Sequence, residues 1–314
     1  MTWSVPKRWS GIFANVGIGF SAFRPGSAID TRETLPEGSP LTYKTLMLHL
    51  DLDHPNDARI KIAADLAERF QAGVIGITAC LDFPTAFADG YTASLLIEQE
   101  RADTERRMKE AEERFRAELR DRAKFVEWRS AIAQPGAYVA AEARAADLVI
   151  LGTNRRHEII DPSRSVDPGE FVNWVGRPVL MVPQEVERLE AKTIVVAWKD
   201  TREARRAVWD ALPFLQMCDK AIVVEIDESK DPTAAQTRVN DVVAWLQRHD
   251  VKATSTVPPL VDAPATQLDT LAWEEGADLI VAGAYGHSRF REWILGGVTR
   301  DLITRTPRCT LLAH

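Results

Sequence analysis

The chain has 314 residues, which exceeds one typical domain and fits two domains of about 150 residues. Its hydrophobic share of 45% allows a sizeable core, and its net charge of -7 disfavours general nucleic-acid binding, which usually leaves a basic footprint. Since no stretch reaches the roughly 18 uncharged apolar residues of a membrane helix, the composition predicts a cytoplasmic protein that binds neither nucleic acid nor membrane.

Residues 1–41 fit no regular element. The apolar stretch Trp9–Phe23 follows Lys7 and Arg8 and faintly resembles a secretory signal, but it is rich in glycine. The segment after it has the Pro, Gly and Ser content of a linker. We predict a disordered or loosely attached extension, with a targeting peptide as the alternative.

From Tyr43 onward the sequence alternates between short apolar runs and segments with helical periodicity. Short apolar runs predict buried parallel strands, and Asn56 is a plausible N-cap for the first helix. The helix from about residue 92 to 122 is highly charged, which predicts a solvated face. The predicted strands are 45–50, 74–79, 125–132, 147–153 and 178–182, and the predicted helices are 56–70, 92–122, 136–146 and 170–175.

The same order of elements begins again after the polar segment 184–192. The predicted strands are 193–198, 221–226, 251–257, 279–282 and 310–313, and the predicted helices are 202–212, 233–248, 265–275 and one beginning near Gly296 and Gly297. Strands that alternate with helices predict a doubly wound parallel sheet with right-handed crossovers in each half.

The two halves align by eye. The run Ala146–Thr153 matches Ala277–Ala284, and Lys44–Leu46 matches Lys192–Ile194. Internal duplication is therefore the strongest organisational signal. We predict a domain at residues 42–184 and a second domain at residues 192–314.

The most specific motif follows the strand that begins at Leu279. Gly283 ends that strand, Gly286 follows after two residues and Gly296 after nine more, with Gly297 and Thr299 beside it. Glycines at a strand end let a backbone approach a ligand, and free N–H groups at the start of the next helix suit phosphate.

This pattern, G-x2-G-x9-G-G-x-T, resembles the ATP-binding members of the universal stress protein family, which carry G-x2-G-x9-G followed by Ser, Thr or Asn. The resemblance covers residues 43–314 and departs from the family at Gly297. It implies an ATP site in the second half, with Mg²⁺ accompanying the nucleotide. Because members of that family commonly pair through their last strands, it also implies that strand 179–182 pairs with strand 310–313 within one chain. The candidate nucleotide-binding residues are Gly283, Gly286, Gly296, Gly297, Val298, Thr299 and Asp200.

The ends of the first strands differ between the halves. ATP-binding relatives usually place an aspartate where Lys199 stands, near the adenine or ribose. Asp51 fills that position in the first half, whereas Asp200 stands one residue late in the second. Asp200 and Thr201 are alternatively a plain N-cap for the next helix.

The first half lacks the glycine pattern, because Arg155 stands at the second glycine position and the later Gly169 is followed by Glu170. A carboxylate at a helix N-terminus would repel a phosphate. We therefore predict that the first half is a structural partner without a nucleotide pocket.

Catalytic and metal-binding patterns are absent from the sequence. Cys80, Cys218 and Cys309 lie far apart and are predicted to be reduced, buried thiols. The six histidines show no metal-ligand spacing, and no Walker A, GxGxxG or Ser/His/Asp pattern occurs. Trp198 and Trp273 are predicted to be core or interface residues.

Three functions remain open. The first is a regulatory or protective stress-response protein that senses ATP, built as an intramolecular pseudo-dimer with a homodimer of such chains as a further assembly. The second is a nucleotide-independent module that binds a protein partner. The third is a slow ATPase or autokinase that uses His287 or Ser288.

Overall fold

The computed structural model of the chain describes residues 41–81, 90–153, 161–228, 232–285 and 297–314. The predicted N-terminal extension, apart from Leu41, lies outside the described residues. So do Gly286, Gly296, His287 and Ser288.

The first half follows the predicted order of elements. Every residue of its second strand is buried, as expected of a parallel strand covered on both faces. The first helix ends at Gln71, which adopts a left-handed conformation with φ of 53°. The elements are β1 (Thr45–His49), α1 (Asp57–Phe70), β2 (Gly73–Cys80), α2 (Gly90–Leu119), β3 (Val126–Ile132), α3 (Pro135–Glu142), β4 (Leu148–Gly152), α4 (Pro168–Trp174) and β5 (Val179–Val182).

The second half repeats that order with one difference. The predicted helix 202–212 divides at Ala211, because Pro213 has no N–H with which to continue the hydrogen-bond ladder. The elements are β6 (Thr193–Ala197), α5 (Arg202–Asp210), α6 (Leu212–Leu215), β7 (Lys220–Val224), α7 (Pro232–Gln247), β8 (Ala253–Thr256), α8 (Pro264–Glu274), β9 (Leu279–Gly283), α9 (Gly297–Thr304) and β10 (Cys309–Ala313).

All ten strands form one sheet in the order β3-β2-β1-β4-β5-β10-β9-β6-β7-β8. The order in the second half mirrors that in the first, and the strands within each half are parallel. The halves join where β5 and β10 pair antiparallel, with Leu311 opposite Leu180. This pairing confirms the predicted contact between the two last strands.

The repeated aspartates explain part of the sequence match between the halves. Asp147 precedes β4, and its Oδ2 accepts the N–H groups of Lys44 and Thr45 at 2.7 and 2.9 Å. Asp278 precedes β9, and its carboxylate accepts the N–H groups of Glu190 and Ala191 at 2.7 and 3.0 Å. Each aspartate therefore ties the start of an inner strand to the chain that enters the neighbouring strand.

Two apolar layers cover the sheet, and both extend across the junction between the halves. One packs under α1, α2, α5, α6 and α7, and the other packs under α3, α4, α8 and α9. In the first layer Tyr43 and Phe70 meet Phe214 edge to face, with ring centroids 5.7 and 5.1 Å away. The halves consequently share a core as well as a sheet.

The structure agrees with some of the remaining predictions about single residues and differs from others. The three cysteines are buried and are not joined in disulfides, as predicted. Trp198 is half-buried against the core, but Trp273 is 72% exposed and is therefore not a core residue. Among the helices that the structure describes, we find none with the length and apolar character needed to cross a membrane.

Candidate functional site

The crevice between β6 and β9 is the topological switch point of the second half. The strands after β6 continue to one side through β7 and β8, whereas β9 lies on the other side. In doubly wound sheets, ligands bind beyond the carboxyl ends of the strands at such a point. The predicted glycine segment leaves the sheet here, after Gly283.

Gly283 makes room for the protein itself. A Cβ atom at this position would lie 2.6 Å from the carbonyl carbon of Glu203 and against the backbone of Ala204. The first turn of α5 therefore rests directly on the end of β9. Close helix–strand packing requires glycine at this position, independently of any ligand.

The first residues of α9 carry the described part of the predicted phosphate site. Among the residues that the structure describes, none has an atom within 4 Å of the position that a Cβ atom at Gly297 would take. Thr299 is buried, and its Oγ1 accepts the N–H of Tyr285 at 3.3 Å. Thr299 thus connects the two described ends of the segment that contains Gly286 and Gly296. Gly297 and Val298 provide the backbone N–H groups at the start of α9.

The polar residues after β6 each have a partner elsewhere in the second half. Lys199 Nζ lies 3.3 Å from the Glu228 carboxylate, and Asp200 pairs with Arg205. The Thr201 hydroxyl accepts the Ala204 N–H at 3.2 Å and caps α5. Thr201 is therefore the N-cap, and the Asp200 carboxylate is held by the helix that follows it.

Asp51, at the corresponding end of β1, is the centre of a buried polar cluster. Its carboxylate accepts hydrogen bonds from the Ser165 hydroxyl at 2.9 Å and the Asp53 N–H at 2.8 Å, and lies 3.0 Å from His54 Nδ1. Burial acts to raise the pKa of Asp51, but His49, the Asp53 N–H and His54 outweigh it and hold the pKa below its usual value. Residues of the chain already occupy both oxygens of this carboxylate.

Arg59 fills the space at the first half's switch point. A Cβ atom at Gly152 would lie 2.7 Å from the Arg59 guanidinium carbon, so the glycine leaves room for that side chain. Arg59 donates to Asn56 Oδ1 at 2.7 Å and to the carbonyls of Pro55 and His49 at 3.1 and 3.3 Å. Burial lowers the pKa of Arg59 to about 10, although Asp51 opposes this shift.

Asn56 occupies the N-cap position of α1, as predicted, but its side chain makes no capping hydrogen bond. Its amide oxygen instead accepts from Arg59 and from the Asp51 N–H, and its amide nitrogen donates to the carbonyl of Asp51. The buried guanidinium takes precedence over the helix end because an unsatisfied buried charge costs more than an open cap.

A small cavity remains beside Arg59 and His49. Its volume is about 10 Å³, which is the size of one water molecule. His49 is buried, and its Nε2 has no hydrogen-bond partner among the described residues. Burial lowers the pKa of His49 to about 4.

The helix N-terminus of the first half is closed as well. Asp167 Oδ1 accepts the N–H groups of Gly169 and Glu170 at 2.8 and 3.2 Å, which caps α4. The prediction placed a repelling carboxylate at Glu170. In the structure the carboxylate of Asp167, rather than that of Glu170, accepts the free N–H groups at the start of α4.

Strand register defines which positions of the two halves correspond. Leu46 pairs with Leu148 in the first half, and Ile194 pairs with Leu279 in the second. Counting along the chain from these pairs, Asp51 corresponds to Lys199. Each half therefore keeps a different part of the pattern: the first keeps the aspartate and the second keeps the glycines.

Sequence reasoning missed Arg59, His49 and Ser165. A signal for Arg59 was present, since it continues the buried stripe of α1 formed by Ile62, Leu66 and Phe70. Among the residues that the structure describes, no group of three His, Cys, Asp or Glu side chains is placed to hold a metal ion.

Comparison with known proteins identifies the family that most of the first half resembles. Residues 42–162 match the model of the Universal stress protein family. These residues form a universal stress protein domain. The match covers the half with the eroded glycine pattern, and the glycines of the second half lie outside it.

Solved structures of universal stress proteins share the fold over most of the chain. One from Archaeoglobus fulgidus has a TM-score of 0.62 at 13% identity, over 86% of this chain and 95% of its own. A putative universal stress protein from Pseudomonas aeruginosa has a TM-score of 0.54 at 12% identity, over 86% of this chain and 93% of its own. A search of curated proteins gave no match.

Proposed function

We propose that the chain is a tandem universal stress protein that binds ATP in its second half and acts as a regulatory or protective stress-response protein. In this proposal, residues 42–184 and 192–314 are two domains of the same family. The mirrored strand order supports this division. The paired carboxyl-terminal strands make the chain an intramolecular pseudo-dimer.

The observation that carries the nucleotide proposal is the start of α9 at Gly297, where a Cβ atom would meet no described atom within 4 Å. The first N–H groups of a helix have no partner within the helix, and they favour an anion. α9 begins at the carboxyl edge of the switch point, next to the end of β9. The amides of Gly297 and Val298 are the described groups best placed to hold a phosphate.

ATP has a regulatory role in this proposal. The carboxylates of Asp200, Glu203 and Glu228 each pair with a cation of the chain. A general base needs a carboxylate that is free to take a proton. Mg²⁺ would arrive with the phosphates of the nucleotide, since the described residues form no three-ligand cluster of their own.

Isothermal titration of the full chain with ATP tests the proposal. We expect saturable binding, which Gly297→Leu abolishes because its side chain obstructs the start of α9. Gly297→Ser adds the hydroxyl that ATP-binding relatives carry, and we expect affinity to rise about 2–10-fold, as one hydrogen bond contributes. Circular dichroism confirms folding of both variants. No binding by the wild type at millimolar ATP would refute the proposal.

A protein-interaction module is the second candidate, and exposed aromatic side chains favour it. Trp209 is 52% exposed, and its ring centroid lies 6.2 Å from that of Trp245. Contiguous exposed apolar surface is typical of an interaction site. Sedimentation at increasing concentration tests self-association: a dimer that Trp209→Ser disperses supports this candidate, and a concentration-independent monomer contradicts self-association through this surface.

A further inference from the structure

Tyr285 leaves β9 in an unusual conformation. Its φ is 58°, in the left-handed region that non-glycine residues rarely adopt. The Thr299 hydroxyl accepts its N–H at 3.3 Å. The preceding residue, Ala284, donates its N–H to Ala313 at 2.8 Å, and its carbonyl lies 3.0 Å from His314 Nδ1. The chain is therefore fixed on both sides as it leaves the strand.

The side chain of Tyr285 reaches the first half. A Cβ atom at Gly169 would lie 3.1 Å from the Tyr285 hydroxyl oxygen. Burial, reinforced by the Asp167 carboxylate, raises the pKa of Tyr285 to about 12. The phenol of the second half thus rests against the first turn of α4.

The contact between Tyr285 and α4 is steric. The Tyr285 hydroxyl is shielded from solvent and has no hydrogen-bond partner among the described residues. The free amides of α4 are already bound by Asp167. The hydroxyl therefore does not cap the helix, and glycine at position 169 provides the space that it occupies.

We propose that Tyr285 is a positioning residue, and that α4 of the first half is the surface against which it is set. The contact between Tyr285 and Gly169 fixes the direction in which the chain leaves β9. The hydrogen bond from the Tyr285 N–H to Thr299 Oγ1 links this point to the first turn of α9. This inference rests on the proposed nucleotide function. It adds that ligand binding by the second half depends on a residue of the first half.

The test is a double-mutant cycle on the full chain. We expect Gly169→Ala to weaken ATP binding at least fivefold, because the new methyl group displaces the Tyr285 hydroxyl. Tyr285→Phe alone weakens binding less than Gly169→Ala does, because it removes the contacting oxygen without displacing the ring. Combined with Gly169→Ala, it restores most of the affinity lost in Gly169→Ala, because the remaining close contact of the methyl group is with Asp167 Oδ1 at 3.2 Å.

Gly136→Ala is the matched control. Gly136 is buried in α3 of the first half, and a Cβ atom there would lie 3.7 Å from Trp174, an ordinary contact distance. We expect this variant to bind ATP as the wild type does. Wild-type affinity in Gly169→Ala, or a loss that Tyr285→Phe does not restore, would overturn the inference.

Amide exchange at Tyr285 separates this inference from the proposed function. We expect the Tyr285 N–H to exchange at least fivefold faster in Gly169→Ala and at the wild-type rate in the double variant, with or without ATP. If the wild type binds no ATP, the proposed function fails, but the exchange rates still decide whether α4 positions Tyr285. An unchanged rate in Gly169→Ala would overturn the positioning role.

Discussion

Arg59 and Ala204 occupy the same position in the two halves, as the third residue of the helix that follows the first strand. Arg59 faces Gly152 at the end of β4, and Ala204 faces Gly283 at the end of β9. The glycine accommodates a guanidinium in one half and a helix backbone in the other. Glycine is therefore required at the same position of both halves for two different structural reasons.

Gly283→Ala tests the close packing in the second half. We expect it to lower the free energy of unfolding by about 1–3 kcal/mol, because the added methyl group overlaps the backbone of α5, which cannot move alone. Gly297→Ala is the control, since its methyl group would meet no described atom within 4 Å. Urea unfolding of both variants provides the comparison, and equal stabilities would contradict the packing argument.

Gly152→Ala tests the guanidinium in the first half. We expect a loss of about 1–3 kcal/mol in the wild-type background, because Arg59 must move from its buried hydrogen bonds. In an Arg59→Ala background the same substitution should cost much less, since the obstructing side chain is gone. A double-mutant cycle by urea unfolding measures this coupling, and additive costs would show that the two residues do not interact.

Lys199→Asp restores the acidic residue that ATP-binding relatives usually carry. We expect it to raise ATP affinity about 3–10-fold over Lys199→Ala, which removes the contact with Glu228 without adding a carboxylate. Titration calorimetry on the two variants gives the ratio. Equal affinities would indicate that the position does not face the nucleotide in this chain.

His49 predicts a dependence of stability on pH. Burial lowers its pKa from 6.5 to about 4, while Asp51 acts to raise it and Arg59 to lower it further. Between those values the unfolded chain binds more protons, so stability rises with pH and is lost as pH falls from above 6.5 toward 4. The full effect is roughly 3 kcal/mol. Urea midpoints between pH 7.5 and 4.5 should show a shallower slope for His49→Gln than for the wild type, and equal slopes would contradict the prediction.

The architecture could be predicted because it depends on local patterns. Apolar runs predict the strands, repeated aspartates such as Asp147 and Asp278 tie neighbouring strand starts together, and the pairing between β5 and β10 was expected from the resemblance to a known family. The sites could be predicted only in part. The roles of Thr299 and Gly283 depend on what faces them, namely Tyr285 and α5. Such contacts join residues distant in sequence, and no spacing rule encodes them.

Phe214 predicts that the two halves unfold together. It is fully buried and packs edge to face against Phe70, with centroids 5.1 Å apart across the junction. Phe214→Ala should lower the free energy of unfolding by about 3–5 kcal/mol. Calorimetry should show one shifted transition, because the core is shared. Two separate transitions in the wild type would contradict this.

β5 and β10 pair antiparallel within one chain, so the two halves are always present in a ratio of one to one. Identical subunits that meet at random must each remain competent for every role. Covalently linked partners face no such requirement, so each copy can lose what the other supplies. In the proposed function the two halves divide the labour: the first holds a buried serine–aspartate pair, and the second supplies the glycines of the nucleotide site.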